Sequence, residues 1–381
     1  MDFSLTKEQK DIQKAAREFA QGEFDPDIAL ELEREGQYPF EIWKRACELG
    51  FIGMHFPERY GGQELGLLEN VLVGEEFCRQ HSGIGMALRL SGFGSEIILK
   101  FGSDDQRERY LPFITKGEAA SSLAYLEKGQ GNDFASFKTA ATRSGNGYLV
   151  NGNKSFVVNS TLRGPVIVVC QLTNNIRPGE KVALIVEKDS DGLVSSPMGG
   201  RVGMRMIPMA DLTFNNLEVS HESLIGNEGQ GELQLTNFLK QMSIEASAIG
   251  TGIAQGAFDL ALAYAKQREQ FRQKIGSFEA IRDKLADMAT RIEFARLLTY
   301  KAAWSLDRND GSARVNYMAK MVSAETALEV ARDSLHIFGG YGYVVENRIE
   351  QFYRDASMVD IIGLPGQMDK SLIADQIIGK I

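Results

Sequence analysis

The sequence predicts an α+β protein in which a helical region, a strand-rich region and a second helical region follow one another. Apolar residues recur with helical spacing up to about residue 118, short β-branched runs fill 119 to 231, and long helical periodicity occupies 232 to 381. Segregated layers of this kind are typical of α+β folds. We therefore predict an N-terminal α-helical domain at 1–118, a central β-barrel domain at 119–231 and a C-terminal four-helix bundle at 232–381.

The first region opens with a helix-start signal. Thr6 is followed three residues later by Gln9, which is the spacing of a capping box. The apolar face expected of this helix consists of Leu5, Ile12, Ala15, Ala16, Phe19 and Ala20. Further amphipathic segments are predicted at Phe40 to Leu49, Leu68 to Cys78 and Asp105 to Leu111.

The central region is broken into short runs by Gly and Asn turns. Three of these runs predict strands: Tyr148 to Val150, Val166 to Val169 and Ala183 to Val186. In the last region the periodicity is helical again, with one face formed by Ile281, Leu285, Met288, Ile292, Ala295 and Leu298.

Composition excludes several classes of function. The net charge of −9 provides no basic block for nucleic acid or an anionic membrane. No run approaches the roughly 18 apolar residues of a membrane span, and charged residues stand where a signal peptide needs an apolar core. Three isolated cysteines, and histidines without metal-ligand spacing, predict neither disulfides nor a metal site. We therefore expect a cytoplasmic protein whose cysteines and whose His55, His81 and His221 are structural.

The most informative motif lies near the C-terminal end. It reads His336-Ile-Phe-Gly-Gly-Tyr-Gly-Tyr343, then Arg354-Asp-Ala356, then Gly363-Leu-Pro-Gly-Gln367. Further segments occur in a consistent order: Phe56-Pro-Glu-Arg-Tyr-Gly-Gly62, Asn151-Gly-Asn-Lys154, Gly226-Asn-Glu-Gly-Gln-Gly231, Gly252-Ile-Ala-Gln-Gly-Ala-Phe-Asp259, Arg268-Glu-Gln-Phe271 and Leu285-Ala-Asp-Met288. Together they resemble the acyl-CoA dehydrogenase family over essentially the full length.

The resemblance implies a flavoenzyme. It implies FAD between barrel and bundle, an acyl-CoA substrate, an electron-transferring flavoprotein as electron acceptor, and a homotetramer or dimer, since the family completes each flavin site from two chains. By position, the implied cofactor-binding residues are Leu126, Asn132, Phe156, Val158, Arg268, Phe271, His336, Gly339, Gly340 and Gln367.

The chain departs from the family pattern at the residues that carry its chemistry. The loop that usually contains the catalytic glutamate has Gly363 at that position, and the alternative position on an earlier helix is Met242. Two threonines that face the flavin in the family correspond to Leu126 and Val158. Glycine cannot take a proton, and a positioned general base contributes typically about 10²–10⁴-fold. The standard α,β-dehydrogenation is therefore disfavoured.

Four other residues are candidates for the missing acid or base, or for contact with the acyl group. Glu245 lies three residues beyond Met242, on the same predicted helix face, and could also be a salt-bridge partner. Arg89 lies in the helix expected at the far end of the acyl pocket, where it would hold a distal carboxylate or sulfinate, or else pair with Glu96 or Glu75. Glu127 is expected to be structural, and Asp360 is a weaker candidate.

The leading interpretation is an FAD-dependent acyl-CoA oxidoreductase with atypical proton handling, acting on a cyclic, unsaturated or dicarboxylic acyl-CoA. Three alternatives stay open at this point. They are a catalytically silent subunit in a heteromer with a homologous chain, a desulfinase-like acyl-CoA lyase, and a regulatory acyl-CoA binder.

Overall fold

The computed structural model describes residues 4–129, 134, 137–173, 179–308 and 313–379. Asn132, one of the expected cofactor-binding residues, lies outside them. The helices of the first region are α1 (Lys7–Glu23), α2 (Pro26–Glu35), α3 (Phe40–Glu48), α4 (Leu67–Gln80), α5 (Ser82–Arg89), α6 (Ser95–Phe101) and α7 (Asp104–Thr115). The capping box of α1 is present, since the Thr6 hydroxyl accepts from the Gln9 backbone N–H and the Gln9 side chain accepts from the Thr6 N–H.

Among the described residues of the central region, seven strands form one mixed sheet. These are β1 (Ser122–Ala124), β2 (Ala140–Ser144), β3 (Gly147–Val158), β4 (Pro165–Thr173), β5 (Lys181–Glu187), β6 (Leu193–Pro197) and β7 (Met209–Ser220). β4 pairs antiparallel with β5 on one side and parallel with β1 and β2 on the other, and β3, β7 and β6 continue from β2 as antiparallel neighbours. The three strand runs predicted from the sequence lie within β3, β4 and β5.

The last region is helical. It contains α8 (Gly231–Gln267), a hairpin of β8 (Glu269–Gln270) and β9 (Gln273–Lys274), α9 (Glu279–Asp307), α10 (Ala313–Phe338), α11 (Ile349–Val359) and α12 (Gly366–Ile378). The predicted α+β class, with helical, sheet and helical regions in that order, is confirmed. The domain boundaries at 118/119 and 231/232 stay predictions. Among the described residues, no helix is both long enough and apolar enough to cross a membrane.

Helix α8 connects the regions and positions the site. It packs against α4, α5 and α6 of the first region and against α9, α10 and α11 of the last. Its sequence is apolar around much of its circumference, as expected for a helix buried in a large core. A residue on α8 can therefore line a cavity between the two helical regions.

The loop between α11 and α12 is held by a buried ion pair. Lys320 of α10 and Asp369 of α12 have no exposed surface, and the Lys320 Nζ lies 3.0 Å from Asp369 Oδ2. Lys320 also donates to the carbonyl of Leu364. On the same loop, the Tyr125 hydroxyl donates to the carbonyl of Gly363 at 2.5 Å. The loop is thus attached to both α10 and the segment that follows β1.

Candidate active site

A small cavity of about 70 Å³ lies where the segment after α3, the α5 and α6 helices and the first half of α8 meet. Its wall combines apolar and charged side chains. The apolar ones include Phe56, Leu88, Phe93, Phe238 and Met242, and the charged or titratable ones are His55, Arg89, Glu96 and Glu245. Charged groups are rarely buried unless paired, so their partners are decisive.

Arg89 and Glu245 form a buried ion pair in this cavity. The Arg89 Nη2 donates to Glu245 Oε2 at 2.8 Å, and the two side chains are 5% and 12% exposed. The second carboxylate oxygen of Glu245 accepts from the amide of Asn70. Glu245 is therefore paired through both oxygens, and the charge of Arg89 is balanced within the protein.

His55 and Glu96 form a second pair in the same cavity. The His55 Nε2 contacts Glu96 Oε1. The other ring nitrogen of His55, Nδ1, and the other oxygen of Glu96, Oε2, are buried and have no hydrogen-bond partner. Each retains a polar atom that a ligand or a water molecule could meet.

The protonation of this pair follows from its surroundings. Burial alone lowers the pKa of His55, but the charge of Glu96 and its hydrogen bond outweigh burial and raise that pKa above its ordinary value. Burial likewise raises the pKa of Glu96, but His55, and to a lesser degree Lys100, bring it below its ordinary value. The charged form, His55 protonated and Glu96 ionised, is therefore favoured.

The two positions where a family member carries its base face each other. A Cβ added to Gly363 would lie 3.1 Å from Cγ of Met242. Met242 is buried and also lines the cavity. The two positions, Gly363 and Met242, thus supply no ionisable group beside the cavity.

The backbone at Gly363 has φ +75, a left-handed conformation that glycine adopts freely. A residue with a side chain would be strained there by about 1–2 kcal/mol. Glycine at this position therefore suits the backbone conformation of the loop, and it also leaves the position without a side chain.

The residues expected at the flavin ring come from the loop after β1 and from the end of β3. The Ser155 N–H donates to the carbonyl of Leu126 at 2.8 Å, which brings the loop after β1 next to the end of β3. Val158 is buried, whereas Phe156 is 56% exposed with φ +56 at an irregularity in the β3/β7 register. A non-glycine residue held in this backbone region is uncommon and is associated with functional sites.

The residues expected at the nucleotide lie at the end of the helical bundle. The Arg268 guanidinium stands 5.5 Å from the ring centroid of Tyr341, which joins the β8/β9 hairpin to the 339–343 turn. Phe271 is 88% exposed, and a Cβ at Gly339 or Gly340 would meet no atom within 4 Å. His336 is exposed, and so is Gln367 at the start of α12.

Two further candidates have structural partners. Glu127 pairs with Lys154 at 2.8 Å and accepts from the backbone N–H of Lys138 and Thr139. Asp360 is exposed, and one of its oxygens lies 2.0 Å from where a Cβ on Gly366 would stand. Neither residue lines the cavity that holds Glu245 and Arg89.

Sequence reasoning missed part of the site. The sequence predicted Glu96 or Glu75 as the partner of Arg89, and both predictions were wrong. Glu96 contacts His55, and Glu75 accepts from Arg296 and Tyr300. His55, taken as structural, is 41 residues from Glu96, a separation that no local motif marks. Its place directly before the Phe56 motif was the one available signal. Within the described ranges, no group of three or more His, Cys, Asp or Glu is arranged to hold a metal ion.

Comparison with known families accounts for nearly the whole chain. Residues 6–118 match the acyl-CoA dehydrogenase N-terminal domain, 122–217 the middle domain and 229–378 the C-terminal domain. The chain is also 36% identical to cyclohex-1-ene-1-carbonyl-CoA dehydrogenase of Geobacter metallireducens over 94% of each chain. The chain belongs to the acyl-CoA dehydrogenase family. This confirms the family inferred from the sequence motifs and the prediction of an enzyme of that family.

Two more relatives extend the comparison. The 3-(aryl)acrylate reductase of Clostridium sporogenes is 33% identical over 98% of this chain and 99% of its own. A chain solved in work on the electron transferring flavoprotein of Acidaminococcus fermentans is 32% identical, covers 100% of both chains and superposes with a TM-score of 0.94. The family thus includes dehydrogenases and reductases of acyl substrates, and its members depend on FAD.

Proposed function

We propose that this chain is an FAD-dependent acyl-CoA oxidoreductase that handles a proton at a carbon beyond the α-carbon. The observation that carries the proposal is the juxtaposition of Gly363 and Met242, since both usual base positions lie together, Met242 lines the cavity, and neither residue is ionisable. The titratable groups of the cavity, His55, Arg89, Glu96 and Glu245, belong to its polar part. Proton transfer there would act on a more distant carbon of the acyl group.

Conjugation makes such a carbon acidic. In a 2-enoyl thioester, the double bond transmits the electron withdrawal of the carbonyl from the α-carbon to the γ-carbon. A base at the polar part of the cavity can then remove a proton that would be inert in a saturated chain. An unsaturated acyl-CoA is therefore the substrate class that fits an absent α-base.

The size and charge of the cavity further limit which acyl groups fit. Its volume of about 70 Å³ is well below the roughly 150 Å³ of a cavity that holds benzene, so a cyclic acyl group would require movement of a side chain such as Met242. Met is among the most adaptable of core side chains. A dicarboxylic acyl group is less favoured, because its distal carboxylate would compete with Glu245 for Arg89.

The residues at the expected flavin site support FAD as the cofactor. FAD would supply the acceptor or donor of hydride. Phe156 presents an exposed ring next to Leu126 and Val158, and Arg268 and Phe271 with the open 339–340 backbone offer contacts to a nucleotide. Leu126 and Val158 cannot hydrogen-bond the flavin through their side chains, so backbone groups would hold the ring. Each missing bond costs about 0.5–1.5 kcal/mol.

We also propose an oligomer and a flavoprotein redox partner. Phe271 and Tyr343 are 88% and 93% exposed, which is unusual for large aromatic side chains and supports burial against a second chain. The relatives include a chain from the electron transferring flavoprotein study of Acidaminococcus fermentans. An electron-transferring flavoprotein therefore fits as the partner.

Anaerobic titration of the purified protein tests this proposal. We expect about one FAD per chain, and bleaching of its absorbance by pent-2-enoyl-CoA or cyclohex-1-ene-1-carbonyl-CoA but not by pentanoyl-CoA. A dithionite-reduced sample should be reoxidised by the corresponding dienoyl-CoA if the reaction runs as a reduction.

Other outcomes would replace the proposal. A colourless protein that becomes active only with a homologous chain would indicate a silent subunit. Release of sulfite from a sulfinoacyl-CoA without flavin bleaching would indicate a lyase. Bleaching by pentanoyl-CoA at a rate typical of the family would indicate a conventional desaturase.

A further inference from the structure

Three buried side-chain atoms of residues that line the cavity make no hydrogen bond among the described residues: Nε of Arg89, Nδ1 of His55 and Oε2 of Glu96. The side chains of His55 and Glu96 are 18% and 12% exposed. Leaving such an atom unpaired costs about 1–3 kcal/mol. Because His55 and Glu96 line one cavity, a group bound there would be a partner for their unpaired atoms.

The other titratable residues of the cavity are less suited to proton exchange. Both carboxylate oxygens of Glu245 are engaged, one by Arg89 and one by Asn70. Arg89 also has an unpartnered Nε, but a guanidinium does not release its proton at ordinary pH. His55 and Glu96 are thus the pair with both a free acceptor and a free donor.

Building on the proposed function, we propose that His55 and Glu96 are the acid–base pair that exchanges a proton with the γ-carbon of a 2-enoyl-CoA. In the oxidative direction the ionised Glu96 accepts the proton at Oε2, and in the reductive direction the carboxylic acid so formed returns it. The His55 ring contacts the other oxygen of Glu96 through Nε2, so it positions the carboxylate and balances its charge.

The step balances with flavin as the two-electron oxidant. The C–H bond at C4 of pent-2-enoyl-CoA breaks and its proton goes to Glu96. The electron pair of that bond forms the new C4=C5 double bond, as the hydrogen on C5 leaves as hydride to the oxidised flavin. The product is a 2,4-dienoyl-CoA, and the reverse sequence reduces it.

The charged groups around His55 and Glu96 shift the pKa values of both residues. Burial and, less strongly, Arg89 lower the pKa of His55, but Glu96 and Glu245 raise it above its ordinary value. Burial raises the pKa of Glu96, but His55 and then Lys100 bring it below its ordinary value. Lys100 is itself hydrogen-bonded to Gln241 at 2.8 Å, so this network connects α6 to α8.

Deuterium exchange into bound substrate measures the proposed proton transfer without turnover. The flavin-containing protein is reduced with dithionite, which blocks hydride removal, and is incubated in D₂O with pent-2-enoyl-CoA. We expect one deuterium at C4, detected by mass spectrometry and located by NMR. Pentanoyl-CoA, whose C4 hydrogens are not acidified, is the matched control and should gain none.

Substitutions then assign the exchange to the pair. We expect His55→Gln and Glu96→Gln each to slow it by at least about 100-fold, the lower range for a general acid or base. His221→Gln and Glu222→Gln, at exposed positions outside the cavity, are matched controls that should leave it unchanged. The double variant His55→Asn with Glu96→Gln removes both charges together, so no unpaired buried charge is left to unfold the protein.

The outcomes separate this inference from the function on which it rests. Exchange that persists in folded, flavin-containing variants of the pair overturns the inference. So does an absence of exchange in the unaltered protein when pent-2-enoyl-CoA still bleaches the oxidised flavin, and either result leaves the proposed function intact. If no acyl-CoA bleaches the flavin, the proposed function itself fails.

Discussion

Two parts of the candidate site differ in charge. The apolar part, Gly363 with Met242, is where the base would stand and has no ionisable group. The polar part, His55 with Glu96 and Arg89 with Glu245, holds two ion pairs. Met242 and Glu245 are three residues apart on α8, about 4.5 Å along the helix axis.

Under the proposed function, this difference corresponds to a relocation of charge within one site. Two buried ion pairs bring little net stability by themselves, so their presence beside the cavity supports a functional role. The position of the titratable groups, one helical turn from the usual base, is what the following experiments vary.

The largest expected effect is the gain of a base in the apolar part through Met242→Glu. The new carboxylate would lie on α8, where the backbone is helical and unstrained, and burial would raise its pKa toward the range useful for a general base. We expect α,β-dehydrogenation of pentanoyl-CoA to rise about 10²–10⁴-fold over the isosteric Met242→Gln control. Flavin bleaching by pentanoyl-CoA in a stopped-flow experiment measures this. Equal rates in the two variants would show that the apolar part does not face the α-carbon.

The second experiment breaks the polar part by removing one partner of its ion pair. Glu245→Ala leaves the 5% exposed Arg89 without its carboxylate, and we expect a loss of about 3–5 kcal/mol in the free energy of unfolding. The double variant Arg89→Met with Glu245→Met should recover most of that loss, because no unpaired charge remains. Urea denaturation measures both. A loss below 1 kcal/mol for Glu245→Ala would mean that solvent reaches Arg89.

The third experiment asks how rigid the apolar part is. Gly363→Ala should cost about 1–2 kcal/mol from its left-handed backbone, with a further cost because the new Cβ lies 3.1 Å from Met242 Cγ. Gly36→Ala is the matched control: Gly36 also has a positive φ, and the nearest atom to its added Cβ is 3.7 Å away. In thermal unfolding, the midpoint temperature of Gly363→Ala should lie below that of Gly36→Ala. Equal midpoint temperatures would indicate that Met242 moves freely. The same backbone strain would destabilise a Gly363→Glu variant, so a base introduced at this position would be less effective.

The smallest effect concerns the pH dependence of stability from His55 and Glu96. His55 has a raised folded-state pKa, so its contribution is complete below about pH 6.5 and is lost as pH rises through that raised value. Glu96 has a lowered pKa, so its contribution is complete above about pH 4.5 and is lost as pH falls through that lowered value. The pair should therefore stabilise the folded state most between these limits.

The measurement is the free energy of unfolding against pH for the unaltered protein and for His55→Gln. The difference between the two curves should be largest near pH 5.5 and shrink on both sides. Glu245 and Arg89 also act on His55, so the same comparison in the Arg89→Met, Glu245→Met background removes their influence. A difference that stays constant with pH would show that His55 does not titrate with folding.

Much of the fold could be predicted from the sequence because its signals are local. The capping box at Thr6, the amphipathic segments now seen in α3, α4 and α7, and the runs inside β3, β4 and β5 each depend on neighbouring residues. The order of the regions followed from the same periodicity, and the family motifs agreed with it. The expected absence of a base at Gly363 and Met242 also came from the sequence, but the contact between them did not.

The sequence identified individual candidate residues of the site, but it did not show which of them are in contact. Glu245 and Arg89 were both named, yet their pairing joins positions 156 residues apart and depends on how α5 packs against α8. His55 and Glu96 carried no motif, and their contact arises from the fold of the segment after α3 against α6. Long-range pairing of single charged residues leaves no periodic signal in one sequence.

The buried Lys320 has a consequence for redesigning this protein. By bonding Leu364 and Asp369 from inside the bundle, it tethers the loop between α11 and α12, while Tyr125 binds the same loop from the side of the sheet. Libraries of variants at positions 363 to 365 would thus change the side chains of the loop while its backbone stays in place. Releasing the tether first, through a paired neutral replacement of Lys320 and Asp369, is the route to loop geometries that the present anchor forbids.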